Sequence, residues 1–378
     1  MKDLFEVIKR EARIIKGDSS ILMIIIGAPL FFAFFYGSVY INKSENSLPV
    51  VIVDNDRSSL SRELVRNLDA NSFISIYGTT GNYSEAKGMI EESEVQGMIY
   101  IPEKFEVDVK SGMGSFVKAY LNTTRFLVSN DINKGLNDVI GEMNNRLKTD
   151  VLTKAGISVK TAEITANPVE LDMRNMFNIT DTYGDFILPG LLALILHQTL
   201  LIGLGISTAK ERETGIAEEL KGKNIFSVVF GKIIPYLVLY MGLSFLFFTA
   251  IFGMFKLEMA GNLILLLGIS LIELTGVSFI AIFVASFFRK RANIMLMLAF
   301  TSIPLFLISG YSWPLSSMPG YIKLISFLLP SSHYLDAIVK ISHMDAGIEN
   351  LLPQIFSLAG LTILFFAAAS LRMKKISR

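Results

Sequence analysis

The chain of 378 residues contains no cysteine, one tryptophan and three histidines. The missing thiols exclude disulfides and thiolate metal sites, and they leave the redox compartment open. The histidines are His197, His333 and His343, so residues 42–182 contain none. Charge is also scarce. Asp, Glu, Lys and Arg make up 18% of the residues against 51% hydrophobic ones, and the net charge is +1. That composition departs from an ordinary soluble domain and offers no overall field for nucleic acid.

Catalytic signatures are missing too. No G-x-x-x-x-G-K-[ST] occurs; Gly231-Lys232 is followed by Ile233 and opens an apolar run, so the chain has no P-loop with which to hydrolyse ATP. H-E-x-x-H and G-x-S-x-G are absent, and no catalytic residue is assigned. Asp54 and Asp56 follow a β-rich run and could in principle hold a metal. Asp-Asn-Asp before Arg-Ser-Ser reads better as a turn and a helix cap, so no metal site is expected.

What the sequence does have is long apolar runs. Residues 20–41 carry no charge, and about 20 apolar residues suffice to cross a bilayer. This run starts late and lacks a small-x-small cleavage site, which marks a retained anchor and not a cleaved signal. Five further runs follow at 184–209, 225–252, 262–288, 293–311 and 351–371. Six spans place both termini on one side. Lys2, Lys9, Arg10, Arg13 and Lys16, then Lys210, Arg212, Lys221 and Lys223, then Arg289, Lys290 and Arg291, then Arg372, Lys374, Lys375 and Arg378 fall on that side. The short loops opposite offer Lys256, Lys323 and Lys340. This asymmetry predicts cytoplasmic termini and an outer placement for the insert at 42–182.

Within residues 1–19, Leu4, Phe5, Ile8, Ala12 and Ile15 recur at helical spacing among basic residues, which predicts an amphipathic helix on the cytoplasmic membrane surface. The insert alternates strand-like segments (49–54, 73–77, 98–101, 116–121) with helix-like ones (from Ser58 or Ser59 to about 68, 84–95, 126–147). Such alternation predicts a small α/β domain, with 149–181 as a return linker with short elements. The expected fold is therefore an α-helical integral membrane protein with six transmembrane helices, the first at 20–41 and five more within 183–378. An extracytoplasmic α/β domain at 42–182 separates the first two.

Three places carry candidate function. His197 lies within the second span and Glu273 within the fourth, with Asp185 at the outer end of the second. An ionised group in hydrocarbon costs about 3 kcal/mol, so such residues face the bundle interior. His197 and Glu273 are candidates for a substrate path or subunit interface; a neutral hydrogen-bonded contact between helices is the other reading. The loop 210–224 predicts a short helix capped by Thr214, with Ile216 and Leu220 on one face, Glu218 and Glu219 in its first turns and Gly222 as a stop. It suits docking into a partner's groove, or a solvated connector. The segment 312–350 is too apolar for a solvated loop and is broken by Pro314, Pro319 and Pro330. It predicts a re-entrant or interfacial pair of short helices, with Tyr311 and Trp313 at the headgroup level.

These residues resemble a family, the bacterial ABC-type exporter permeases with a large extracytoplasmic domain between the first two spans. Val51–Ser59 (VIVDNDRSS), Gly97–Phe105 (GMIYIPEKF), Phe177-Asn178 with Leu188-Pro189-Gly190, and Glu211-Arg212-Glu213-Thr214-Gly215 are similar to its motifs, the last being the most specific. Ser309-Gly310, Pro314, Met318-Pro319, Leu329-Pro330 and Gly347 follow its outer re-entrant pattern. The loop departs from the commoner Thr-x-Glu-x-Leu by reading Ile-Ala-Glu-Glu-Leu.

The resemblance implies a half-transporter in a bacterial inner membrane. It would pair with a second permease, as homodimer or heterodimer, and two cytoplasmic ATP-binding cassette subunits would dock on its loops. ATP and magnesium would sit on those subunits, and this chain would hold no cofactor. Glu211, Arg212, Glu213, Thr214, Gly215, Ile216 and Leu220 would form the coupling element. The cargo would be a hydrophobic or amphiphilic molecule (drug, antibiotic, lipid or pigment-like) moved outward. In a Gram-negative cell a periplasmic adaptor and an outer-membrane channel could receive it. The rival is a non-transporting receptor or envelope-organising protein that uses the insert for binding; it leaves the E-R-E-T-G loop without a purpose.

Overall fold

A computed structural model describes residues 2–43, 46–168 and 174–376, except for the side chains of Ile216, Ala217 and Ile376. Arg378, counted among the basic residues after the last span, lies outside them. The chain forms two compact units, one from Met1–Lys43 with Asn175–Arg378 and one from Ser44–Arg174.

The first unit begins with α1 (Lys2–Lys16) and α2 (Ser19–Val39), the latter containing a π-helical turn at Met23–Gly27. Asp18 caps α2 by accepting from the amide of Ser20 at 2.9 Å. The buried residues of α1 are not those of the apolar stripe expected to meet the membrane surface. Val7, Arg10 and Glu11 are buried, while Phe5, counted in the stripe, is 65% exposed. Val7 fits because residue 231 is glycine; a Cβ there would lie 2.7 Å from Val7 Cβ.

The second unit is β1 (Leu48–Asp54), α3 (Ser59–Asp69), β2 (Ile74–Thr80), α4 (Tyr83–Glu91), β3 (Gly97–Ile101), α5 (Phe105–Lys110), β4 (Lys118–Leu121), α6 (Phe126–Lys154) and α7 (Val159–Ala166). Its sheet runs β2-β1-β3-β4. The continuous apolar run of β1 suits a central strand flanked by parallel partners, with Val50 beside Ile76 and Gly97. β4 closes the edge antiparallel, Met98 opposite Tyr120. On one face Leu64 and Leu68 of α3 and Ile132 and Met143 of α6 join Ile52 and Ile99 in a core; on the other, Val51, Val53 and Met98 pack with Ala86 of α4.

Asp54 and Asp56 act as turn and cap residues. Asp54 Oδ1 accepts from the amides of Asp56 (3.0 Å) and Arg57 (2.9 Å), its Oδ2 accepts from Ser61 Oγ (2.8 Å), and Asp56 Oδ2 accepts from the Glu106 amide (3.1 Å). Glu106 itself is held to about 2 by hydrogen bonds from Lys110 and Ser59. The folded value is depressed, so its contribution to stability is present above the ordinary carboxylate range and fades as pH falls through about 2. Carboxyl chemical shifts should place the Glu106 titration there, and Lys110→Ala should move it up toward ordinary values; an unmoved titration would refute the assignment.

The first unit resumes with α8 (Tyr183–Glu213), α9 (Ile225–Met254, with a π-helical turn at Phe247–Ile251), α10 (Leu263–Ala285), α11 (Arg291–Ile308), α12 (Gly320–Phe327), α13 (Pro330–Ser342) and α14 (Leu352–Ile376). Thr182, Asn224 and Asn262 cap α8, α9 and α10 through their side chains. Six helices among the described residues are long and apolar enough to cross a membrane: α2, α8, α9, α10, α11 and the one reaching from Ile348 to Lys375. α8 is the most enclosed, and Leu192, Leu196, Leu200 and Leu204 along it belong to the bundle core.

Candidate functional site

Where α8 ends, three consecutive charged residues each hold a different part of the bundle. Glu211 Oε2 accepts from Lys232 Nζ of α9 at 2.7 Å, and its Oε1 pairs with Arg10 of α1. Arg212 donates to the Ser286 carbonyl and, at 3.0 Å, to that of Phe288, satisfying carbonyls left free where α10 ends. Glu213 accepts from the backbone amide of Arg291 at 3.1 Å, on the first residue of α11.

The hub extends inward. Glu11 of α1 accepts from Ser207 Oγ at 2.5 Å and from Lys232 Nζ at 3.3 Å, with Tyr236 OH at 3.4 Å. Lys232 and Glu11 are both fully buried (0% exposed), so only mutual pairing keeps these charges tolerable. Beside them Asp18 takes Lys210 Nζ at 2.6 Å and Arg291 Nη1 at 3.2 Å, which ties the start of α2 to α8 and α11. Hydrogen bonding to the Lys210 ammonium holds the Asp18 carboxyl below its usual range.

Beyond the hub the chain turns at Gly215, whose φ is +76°, a left-handed value that glycine adopts freely. A single 3₁₀ turn follows at Ile216–Leu220, closed by Gly222 at φ +78°. Several expectations change here. Thr214 does not cap this turn; its hydroxyl donates to the Lys210 carbonyl at 2.9 Å. Glu211 is buried among cations of its own chain, and Leu220, 1% exposed, packs into the bundle core. Neither is available to a partner's groove. The Ile216 side chain lies outside the described ones. Glu213, Thr214, Gly215, Glu218 and Glu219 are exposed, and Glu219 also reaches back to Arg10 Nε at 2.9 Å.

His197 and Glu273, flagged separately by sequence, meet. His197 Nδ1 lies 2.6 Å from Glu273 Oε1 between α8 and α10, and Glu273 Oε2 has no hydrogen-bond partner. One helical turn from Glu273, Ser270 shares a hydrogen bond of 2.8 Å with Tyr334 of α13.

The segment after α11 turns at Gly310 (φ +90°), and Pro314, Pro319 and Pro330 stand at the starts of a 3₁₀ turn, α12 and α13. α12 and α13 bend by 82° against each other. Trp313 is exposed, but Tyr311 is buried, because its hydroxyl is fixed between the Gly190 amide (3.0 Å) and the Phe186 carbonyl. Asp185, at the start of α8, pairs with Lys43 Nζ at 2.5 Å.

Sequence reasoning missed Glu11, Lys232, Ser207 and Asp18. One signal was present: a lysine within an apolar span, and in such a span an ionisable residue is functional or paired by default. Among the described residues no group of three or more His, Asp or Glu side chains could hold a metal ion.

A bundle of about six apolar helices with charged residues gathered at one end of α8 defines a multi-pass membrane protein. The model of the ABC-2 family transporter protein matches residues 19–371, and the chain belongs to that family. It is 26% identical to the inner membrane transport permease YhhJ of Escherichia coli (strain K12) over 385 residues, covering 99% of this chain and 98% of that one. The probable multidrug ABC transporter permease YbhS of the same organism is 21% identical over 339 residues, 88% of this chain and 85% of its own. YbhR, also a probable multidrug ABC transporter permease there, is 24% identical over 185 residues, about half of each chain. Membership in the family implies a cytoplasmic ATPase partner.

Proposed function

We propose that this chain is the permease subunit of an exporter that moves a hydrophobic or amphiphilic molecule outward, with its termini in the cytoplasm and its α/β insert outside. It works as a pair with a second permease, identical or not. Two cassette subunits bind ATP and magnesium and press on the loop 210–224. In a Gram-negative envelope the insert hands cargo to an adaptor and an outer channel.

One observation carries the coupling part of this reading: Glu211, Arg212 and Glu213 grip α1, α9, the end of α10 and the start of α11. A push on the 3₁₀ turn is therefore delivered to four helices at once. The surface left for the cassette is the exposed side of that turn, where Glu218 and Lys221 pair at 3.4 Å. Charge at an interface rim steers partners, and like charges brought together there repel.

Reversing both residues (Glu218→Arg with Lys221→Glu) should lower cassette-stimulated ATP hydrolysis and export by about tenfold or more. Both side chains are exposed, so the yield of folded permease should not change. Undiminished ATPase and export in that double variant would remove the loop from the coupling path.

A further inference from the structure

At the end of α8 far from the hub lies a cavity of about 470 Å³. Its floor is rigid: the Phe186 and Tyr311 rings stack 5.4 Å apart, 11° from parallel, and both ends of the Tyr311 hydroxyl's bonding are fixed on α8. Ser326 and Ser332, two hydroxyls 2.9 Å apart, add a polar wall. Lys323 and Asp336 line it with opposite charges.

Both of these groups retain bonding capacity. Lys323 Nζ gives one of its three protons to the Ser316 carbonyl at 3.0 Å. Asp336 uses Oδ2 for Lys340 (2.9 Å) and Gln354 (2.5 Å), which leaves Oδ1 as an acceptor. Another titratable lining residue, His333, is engaged through Nε2 with the Phe327 carbonyl at 2.9 Å. A guest with one anionic and one N–H cationic end therefore matches the pocket. A purely anionic guest would face Asp336, and a quaternary ammonium has no proton to donate to it.

The surroundings favour a guest with an apolar tail. α12 is a helix of two turns whose Tyr321, Leu324 and Phe327 stay exposed, with Trp313 exposed just before it. It packs beside α11, which exposes Phe300, Ile303 and Leu307. Aromatic side chains of this kind belong at headgroup depth, with aliphatic ones along acyl chains.

We propose that this pocket binds the phosphoethanolamine headgroup of a membrane phospholipid, the phosphate toward Lys323 and the ammonium toward Asp336, with the acyl chains along α11 and α12. The site stands independently of the export reading, since a bound lipid could hold the bent pair α12–α13 in place whatever the cargo.

Native mass spectrometry of the full chain in detergent tests this, using phosphatidylethanolamine, phosphatidylcholine and phosphatidylglycerol with identical acyl chains, and soluble glycerophosphoethanolamine. The ethanolamine lipid should be retained about tenfold better than the other two, the scale of one charged hydrogen bond, and the soluble headgroup should not be retained. Lys323→Gln should lower the retention of all three lipids, which share the phosphate, by about tenfold, while Lys323→Arg keeps it; Asp336→Asn should bring the ethanolamine lipid down to the choline level. Both side chains are solvent-accessible, and Lys323 and its arginine variant decide the matter even if Asp336→Asn misfolds. Equal retention of the three lipids overturns the proposal, as does undiminished lipid retention in Lys323→Gln. Tight binding of the soluble headgroup would overturn it too, by making the guest a free metabolite.

Discussion

Lys232→Met is expected to destabilise the protein by about 3–5 kcal/mol, because it leaves buried carboxylates without their shared cation. Two cations, Arg10 and Lys232, balance two carboxylates, Glu11 and Glu211, in the buried hub. Arg10 still serves Glu211 in the variant, but Glu11 keeps only the hydroxyls of Ser207 and Tyr236. The double change Lys232→Met with Glu11→Gln restores the balance and should recover at least half of the loss. Thermal unfolding of the detergent-purified chain, read by loss of monodisperse protein, would measure both. If the single and double variants melt together, the pairing does not hold this end of the bundle. Export and stimulated ATP hydrolysis should fall with Lys232→Met at temperatures where the protein is still folded, since α9 would lose its ion pair with Glu211 of α8.

The His197–Glu273 pair supplies the second large effect. His197→Leu should cost about 3 kcal/mol, the scale of an unpaired ionisable group in hydrocarbon, since Glu273 Oε2 already lacks a partner and Oε1 would lose its own. Glu273→Leu alone should cost less, about 1–3 kcal/mol for an unmet ring nitrogen. Leu at both positions removes both polar groups and should be at least as stable as the original. That double variant isolates function from folding. A path or interface role predicts a stable protein whose export drops by an order of magnitude or more. Normal export from it would leave the pair a mere contact between α8 and α10.

The spans could be read from sequence because bilayer thickness imposes long apolar runs, and the structure's apolar helices fall within a few residues of them. The four strands were legible for a similar reason, as β-branched runs bounded by turn residues. What escaped was short or polar. α5 has six residues, and α7 is one of the short elements expected in the linker but not located there, since neither builds enough periodicity to stand out. The hub escaped for a different reason. Arg10 and Glu211 are separated by 201 positions and Glu11 and Lys232 by 221, and no local pattern connects them. Sequence placed the E-R-E-T-G loop at a partner's surface, whereas its first three residues are consumed inside the chain. His197 and Glu273 were each visible as charges in apolar spans, but their pairing required the packing of α8 on α10.

That separation also sets a timetable for biogenesis. Arg10 and Glu11 leave the ribosome some two hundred residues ahead of their partners. At roughly 5–20 residues per second the delay is on the order of ten to forty seconds. Throughout it α1 must remain in water or at the lipid surface with its charges hydrated, and the insertion machinery must release α8 and α9 before α1 can dock. α1 is thus seated long after it is made. A nascent chain truncated before residue 232 should leave α1 accessible to protease, which makes its docking a late checkpoint of membrane assembly.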